Sequence, residues 1–169
     1  MKIYLVHPGE NDSSELTSRG VWQMQALARR LIMDNIDADR IYANGHEVSI
    51  QSGNVLSKCL RIPVINDERF VEINKKVIFG EINKEDVENF NYLSLFVEEI
   101  VGKGKDAIIT MGGGIHRAVI SLLTGMHLHE TRHFSLLPAS ISVLHYIQNE
   151  GPGAWRVSLV NDRSHLNLP

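Results

Sequence analysis

The chain has 169 residues, 43% of them hydrophobic and 22% charged, with a formal net charge of -3 and a single cysteine, Cys59. That length fits one domain with a real core, expected to run over 1-169. The slightly acidic balance gives no polybasic face for nucleic acid or anionic lipid, one thiol cannot close an internal disulfide, and no apolar run is long enough to span a membrane. Cys59 lies among apolar neighbours in a helix-like stretch and is expected to be buried and inert. The opening MKIYLVHPGE carries one lysine and too short an apolar stretch for a signal peptide, so a cytoplasmic location is expected.

Lys2 to Val6 is a β-branched and aromatic run stopped by Pro8-Gly9, which predicts a first strand. A polar loop follows, and Thr17 is placed to cap a helix in which Val21, Met24, Leu27 (or Ala28) and Leu31 recur at helical spacing as far as Met33. Arg40 to Ala43 predicts a second strand ended by Asn44-Gly45. His46 to Leu60 predicts a helix with Val48, Val55 and Leu56 on its apolar side and Gly53 as a weak point. Ile62 to Ile65 predicts a third strand, and residues 70–82 show no period and are expected to form an irregular excursion.

Lys84 to Val101 predicts a helix with Val87, Phe90, Leu93 and Val97 on one face. Asp106 to Met111 is the strongest candidate for a buried strand, and Gly112-Gly113-Gly114 turns it into a helix over Ile115 to Leu123. Strands over Ser140 to Ile147 and Trp155 to Val160 close the pattern, around Gly151-Pro152-Gly153. Strands alternating with helices predict a three-layer α/β/α sandwich with a mostly parallel central sheet. Ligands of such sheets sit outside the carboxyl ends of the strands. Attention therefore falls on His7-Pro8-Gly9, Asn44 to His46, and Met111 to Gly114.

Those segments carry a resemblance. The first strand reads Leu5-Val6-His7-Pro8-Gly9-Glu10, followed by Leu16, Thr17, Gly20, Gln23 and Met24. Tyr42 precedes Val48, Ser49, Gln51, Ser52 and Gly53; Glu72 follows the third strand; and a late strand reads Thr110-Met111-Gly112-Gly113-Gly114-Ile115-His116. The end of the chain reads Ala139-Ser140-Ile141-Ser142-Val143-Leu144 and then Asn161-Asp162 before Ser164-His165-Leu166. In this order the motifs resemble the histidine phosphatase superfamily, the phosphoglycerate mutase-like group, from Lys2 to Leu166. Its signatures are Leu-Val-Arg-His-Gly-Glu, Leu-Thr-x-x-Gly-x-x-Gln-Ala, Tyr-x-Ser with Arg-Ala-x-Gln-Thr-Ala, and Thr-His-Gly-Gly-x-Ile-Arg.

The resemblance implies a fold and, residue by residue, a damaged site. In the family one histidine attacks phosphorus, two arginines and a second histidine hold the phosphoryl oxygens, and a carboxylic acid protonates the leaving group. Carried over, the nucleophile is Pro8, the first arginine is His7, the second is Val48, and the second histidine is Met111; only Glu72 keeps its chemical type. Positioned cations supply most of the catalysis in phosphoryl transfer, so these losses imply a pseudoenzyme that works by binding. The alternative is an active phosphomonoesterase with His7 as a relocated nucleophile and Glu72 as acid.

His7, His46, Gly112, Gly113 and His116 are the candidate anion-binding residues. The implied partners are a small phosphorylated ligand or other anion, a protein, or a second copy in a homodimer, with no nucleic acid, no membrane and no cofactor. His7, His46, His116 and Glu72 could together hold a transition metal, but no metal-ligand spacing supports that reading and no metal is assigned. Gly112 to Gly114 reads equally as an anion nest or as the glycine turn that a strand-to-helix junction needs. His127, His129 and His133 read as a solvated loop, His165 as structural, and Arg117, one position beyond the family's last arginine, is expected not to replace the missing cations.

Overall fold

The sheet is assembled around β1 (Lys2–Val6), whose residues alternate between two cores: Ile3 and Leu5 face one side, Tyr4 and Val6 the other. β1 pairs in parallel with β4 (Asp106–Thr110) and antiparallel with β5 (Ile141–Ile147). Beyond β4 lie β2 (Ala38–Ala43) and β3 (Val64–Asn66), and beyond β5 lies β6 (Ala154–Asp162), giving six strands in the order β3-β2-β4-β1-β5-β6. The run β3-β2-β4-β1 is parallel throughout, which is the mostly parallel sheet expected from the alternating pattern. The computed structural model describes residues 1–67, 69–70, 73, 76–77, 80–81, 83–148 and 153–167.

Helices cover both faces. α1 (Ser18–Met33) and α2 (Glu47–Leu60) bring Met24, Leu27, Ala28, Leu31 and Leu56 against Tyr4, Val6, Ile41, Ile108, Ile141 and Val143. On the other face α3 (Lys84–Lys103) and α4 (Gly113–Thr124) cover Ile3, Leu5, Tyr42, Ala107, Ile109 and Leu144. The three-layer sandwich is therefore the observed architecture. α1 begins as its sequence predicts, with the Thr17 hydroxyl accepting a hydrogen bond from the Gly20 amide at 3.0 Å. Asn83 and Asp86 cap α3 reciprocally, each side chain accepting from the other's backbone N–H.

Three expectations about burial are corrected. Val87 is 49% exposed, and the inner face of α3 runs instead through Leu93, Phe96, Val97 and Ile100. Phe96 turns the helix, because its ring meets Tyr42 at 5.2 Å and Phe70 at 3.9 Å between centroids and a smaller valine cannot compete for that space. On α2 the inner face is Ser49, Ser52, Gly53 and Leu56, with Val48 only half-buried. Gly53 is not a weak point: a Cβ there would stand 3.3 Å from Thr110 Oγ1, so the helix lies close to the sheet because the residue is small. Cys59, expected to be buried, is exposed near the end of the same helix.

The excursion after β3 is not all surface. Phe70, Ile73 and Val77 are 3%, 1% and 6% exposed and complete the core beneath α3 and α4. Glu72 lies outside the described residues. No helix among the described residues is long and apolar enough to cross a membrane.

The loop between β1 and α1 is fixed by a close backbone approach. A Cβ on Gly9 would stand 2.6 Å from the Gly20 carbonyl oxygen, and one on Gly20 would run into the Glu10 carbonyl. This contact, with the Gln23 side-chain oxygen accepting from the Glu10 amide at 2.8 Å, holds the segment that leaves the carboxyl end of β1. The packing makes a direct prediction at Phe96, which is fully buried. Phe96→Ala should cost about 3–5 kcal/mol in urea unfolding, as expected for an aromatic ring removed from a closed core. A loss near zero would mean that the ring cluster does not carry this face of the sheet.

Candidate functional site

The carboxyl ends of β1, β2 and β4 deliver the candidate residues. Val6 accepts the Met111 amide at 3.0 Å, and the His7 amide donates to Ser140 O at 2.9 Å, so the chain keeps sheet-like pairing just past β1. Pro8 follows, buried, with its carbonyl accepting the Ala139 amide at 2.8 Å. The position that the resemblance aligns with a nucleophile is thus a proline held by backbone bonds. Met111 is fully buried in the core under α3 and α4. Val48 stands half-buried in the first turn of α2. Neither side chain offers a charge or a hydrogen-bond donor to an anion.

His7 is half-buried, and its Nδ1 lies 3.4 Å from the Pro8 carbonyl oxygen. A carbonyl can only accept, so this contact favours the proton on Nδ1 and leaves Nε2 with a lone pair. Nε2 lies 3.7 Å from the point where a Cβ on Gly113 would stand. Burial pulls the His7 pKa below its usual 6.5; the Pro8 carbonyl opposes this, and the charge of Arg117 adds to the lowering. His7 is therefore a neutral imidazole at pH 7.

Arg117 is the residue that the sequence did not predict to matter. Its Nη1 lies 3.1 Å from the same point beside Gly113, and Leu136 Cδ1 lies 3.8 Å from it. The guanidinium donates to two backbone carbonyls, Gly113 at 3.1 Å and Phe134 at 2.9 Å. It makes no ion pair with a described carboxylate, and burial lowers its pKa, the mark of a partly desolvated cation. A helical side chain leans back toward the N-terminus of its helix, so an arginine four residues into α4 reaches its first turn. That geometric rule, applied from Gly113 rather than from the family's own arginine position, is the signal that could have found it.

The three candidate histidines do not converge. His46 is the exposed N-cap residue of α2, where it makes no side-chain capping bond. His116 is fully buried, with its Nε2 2.9 Å from Ser142 Oγ, so it lies beneath the surface and not on it. Among the described residues no group of three His, Cys, Asp or Glu side chains could hold a metal ion. Gly112 caps α4 from extended backbone, with no side-chain capping bond and with φ at -66°, a conformation that does not require glycine. His127 and His129 are exposed and stack on one another, and His133 is exposed nearby. His165 is buried.

Polar side-chain atoms without a hydrogen-bond partner gather at this end of the sheet: the Asn44 amide, the Ser49 and Ser140 hydroxyls, and His116 Nδ1. Asn44 and Ser140 are fully buried.

The architecture has close counterparts among solved structures. The protein YhfR from Bacillus stearothermophilus superposes with a TM-score of 0.77 at 15% identity, covering 98% of this chain and 98% of that one. The alpha-ribazole phosphatase from Shigella flexneri gives 0.72 at 17% identity over 96% and 97% of the two chains. A phosphoserine phosphatase mutant from Entamoeba histolytica, in complex with phosphoserine, gives 0.72 at 15% identity over 98% of each. The chain has the fold of these proteins, the phosphoglycerate mutase-like fold implied by its motifs. No family model and no curated protein matches its sequence.

The buried imidazole of His116 makes a pH prediction. Burial, with help from His7 and Arg117, holds its pKa down at about 3 against an ordinary 6.5. The unfolded chain therefore takes up a proton below 6.5 that the folded chain refuses, and stability falls as the pH drops from 6.5 toward 3. Between about pH 7.5 and about pH 5.5 this ring alone should cost about 1.4 kcal/mol. Urea unfolding at the two pH values should show that loss, and His116→Gln should reduce it by that amount. An equal loss in both proteins would remove His116 as its source.

Proposed function

We propose that this chain is a histidine phosphatase superfamily member whose phosphoryl-transfer machinery has been replaced, and that it acts by binding a small anionic ligand at the carboxyl end of its sheet. The observation that carries this reading is the surroundings of Gly113: one cation from Arg117, one neutral imidazole from His7, and a buried proline where the family has its nucleophile. Such a site can attract an anion through the Arg117 guanidinium, which keeps N–H donors beyond the two given to the Gly113 and Phe134 carbonyls. It lacks the set of positioned cations that stabilises a phosphoryl group in flight. The Entamoeba histolytica neighbour is in complex with phosphoserine, which supports a small phosphorylated ligand for this fold.

A second reading is favoured by one observation, the His7 tautomer. With its proton directed at the Pro8 carbonyl, Nε2 is free to attack, and Arg117 stands beside the same point. In that reading His7 is a relocated nucleophile and Glu72 the acid. Magnitude decides against it. Losing one transition-state donor costs about 10²–10³ in rate, and here three donors and the original nucleophile are gone against one arginine gained.

The experiment is turnover of an aryl phosphate and a panel of small phosphoesters by the purified chain, beside His7→Ala, with and without chelator. The expected result is no turnover above the variant. Robust turnover abolished by His7→Ala would replace the binding reading with the phosphomonoesterase.

A further inference from the structure

We propose a second ligand site, in a cleft on the outer side of α1, for a small molecule that carries a tetrahedral oxyanion on a flat aromatic ring. The turn Ser164–Asn167 packs on α1. Between them lies an open cleft of about 620 Å³ whose lining includes Arg19, Trp22, Gln23, Asp162, Arg163 and Ser164. That size falls in the range of small-molecule sites, roughly 300–1,000 Å³. Arg19, Trp22 and Gln23 stand three and four residues apart on α1, so they share one side of the helix. None of these residues belongs to the surroundings of Gly113.

Three separate side chains of this cleft keep unspent donors. Arg163 is half-buried, and its guanidinium makes no hydrogen bond or ion pair with any described residue. Arg19 has an exposed side chain, held only by a 3.8 Å approach to the Glu10 carboxylate. Gln23 is 1% exposed, and its Oε1 accepts the Glu10 amide at 2.8 Å. That bond fixes which end of the carboxamide is oxygen, and Nε2 is left without a partner among the described residues. Two guanidiniums and one buried NH2 group suit a head with three terminal oxygens better than a planar carboxylate with two. Asp162 also lines the cleft, but its charge is already matched. Its Oδ2 accepts from Arg30 and from the Ser164 hydroxyl, and its Oδ1 accepts the Ser164 amide.

Trp22 supplies the part that favours a ring. Its indole is 43% exposed beside these donors, and a flat ring meeting it gains about 0.5–1.5 kcal/mol beyond the area covered. The two walls are joined before any ligand arrives: Arg30 of α1 donates to Asp162 and to the Ser164 hydroxyl at the start of the turn. A cleft held open by its own bonds spends little binding energy on ordering its walls.

The test titrates three probes into the full chain at neutral pH: phenylphosphonate, which has head and ring, methylphosphonate, which lacks the ring, and benzoate, which has a planar head. Binding is followed by calorimetry and by the Trp22 indole N–H resonance, assigned with Trp22→Phe. The result expected is saturable binding of phenylphosphonate that shifts this resonance and is about tenfold or more tighter than that of either other probe. Arg163→Met breaks no hydrogen bond with a described residue, so it should keep the wild-type melting temperature while weakening phenylphosphonate about tenfold or more. Gln23→Glu keeps an oxygen for the Glu10 amide, replaces the NH2 group with a carboxylate oxygen, and should weaken binding as much. Arg117→Met should leave it unchanged. Binding lost in Arg117→Met but kept in Arg163→Met would overturn the second site and leave a single anion site beside Gly113. Methylphosphonate as tight as phenylphosphonate would overturn the preference for a ring, and benzoate as tight would overturn the tetrahedral head. No saturable binding of phenylphosphonate would overturn the cleft as a site.

Discussion

Everything at the candidate site depends on how β1 is held at its carboxyl end. A central strand bonded on both sides has little freedom, and here the bonding continues past the strand: Met111 donates to Val6, His7 donates to Ser140, and Ala139 donates to Pro8. Those three backbone bonds join the ends of β1 and β4 and the approach to β5 into one rigid ledge. A proline is tolerated on that ledge because its missing N–H is not needed, its carbonyl being the group that Ala139 uses. A proline at this position is therefore structurally tolerated.

Met111 and Val48 also fit their places by packing. Met111 occupies a fully buried position and contributes to the core between α3, α4 and the sheet. Val48 sits half-buried in a helix whose packing is carried by Ser49, Ser52, Gly53 and Leu56. Apolar residues at these places have little to offend and some burial to gain, roughly 25 cal/mol per Å² of apolar surface covered. Arg117 is different in kind. A half-buried guanidinium without a described carboxylate beside it is maintained against a desolvation cost, and it sits next to a neutral histidine rather than within a salt bridge.

Much of the architecture was legible in the sequence because it follows from periodicity and punctuation. The alternation of Lys2 to Val6, the capping of α1 by Thr17, and the glycine turn into α4 each appear where the pattern places them. What was not legible is orientation. The apolar residues of α3 offer two overlapping stripes, and only the rings of Tyr42 and Phe70, distant in sequence, select the one through Phe96. The site divides in the same way. His7, Pro8, Val48 and Met111 could be placed by motif, but the burial of His116 and the reach of Arg117 depend on which way α4 faces the sheet.

The central claim is that the strand end keeps the fold but no longer forms a covalent phosphoryl intermediate. Its most direct measurement is ³¹P spectroscopy of the chain after rapid mixing with an activated aryl phosphate and denaturing quench under alkaline conditions, which preserve phosphohistidine. The account predicts no protein-bound phosphorus resonance. A phosphohistidine signal present in the native chain and absent from His7→Ala would contradict it.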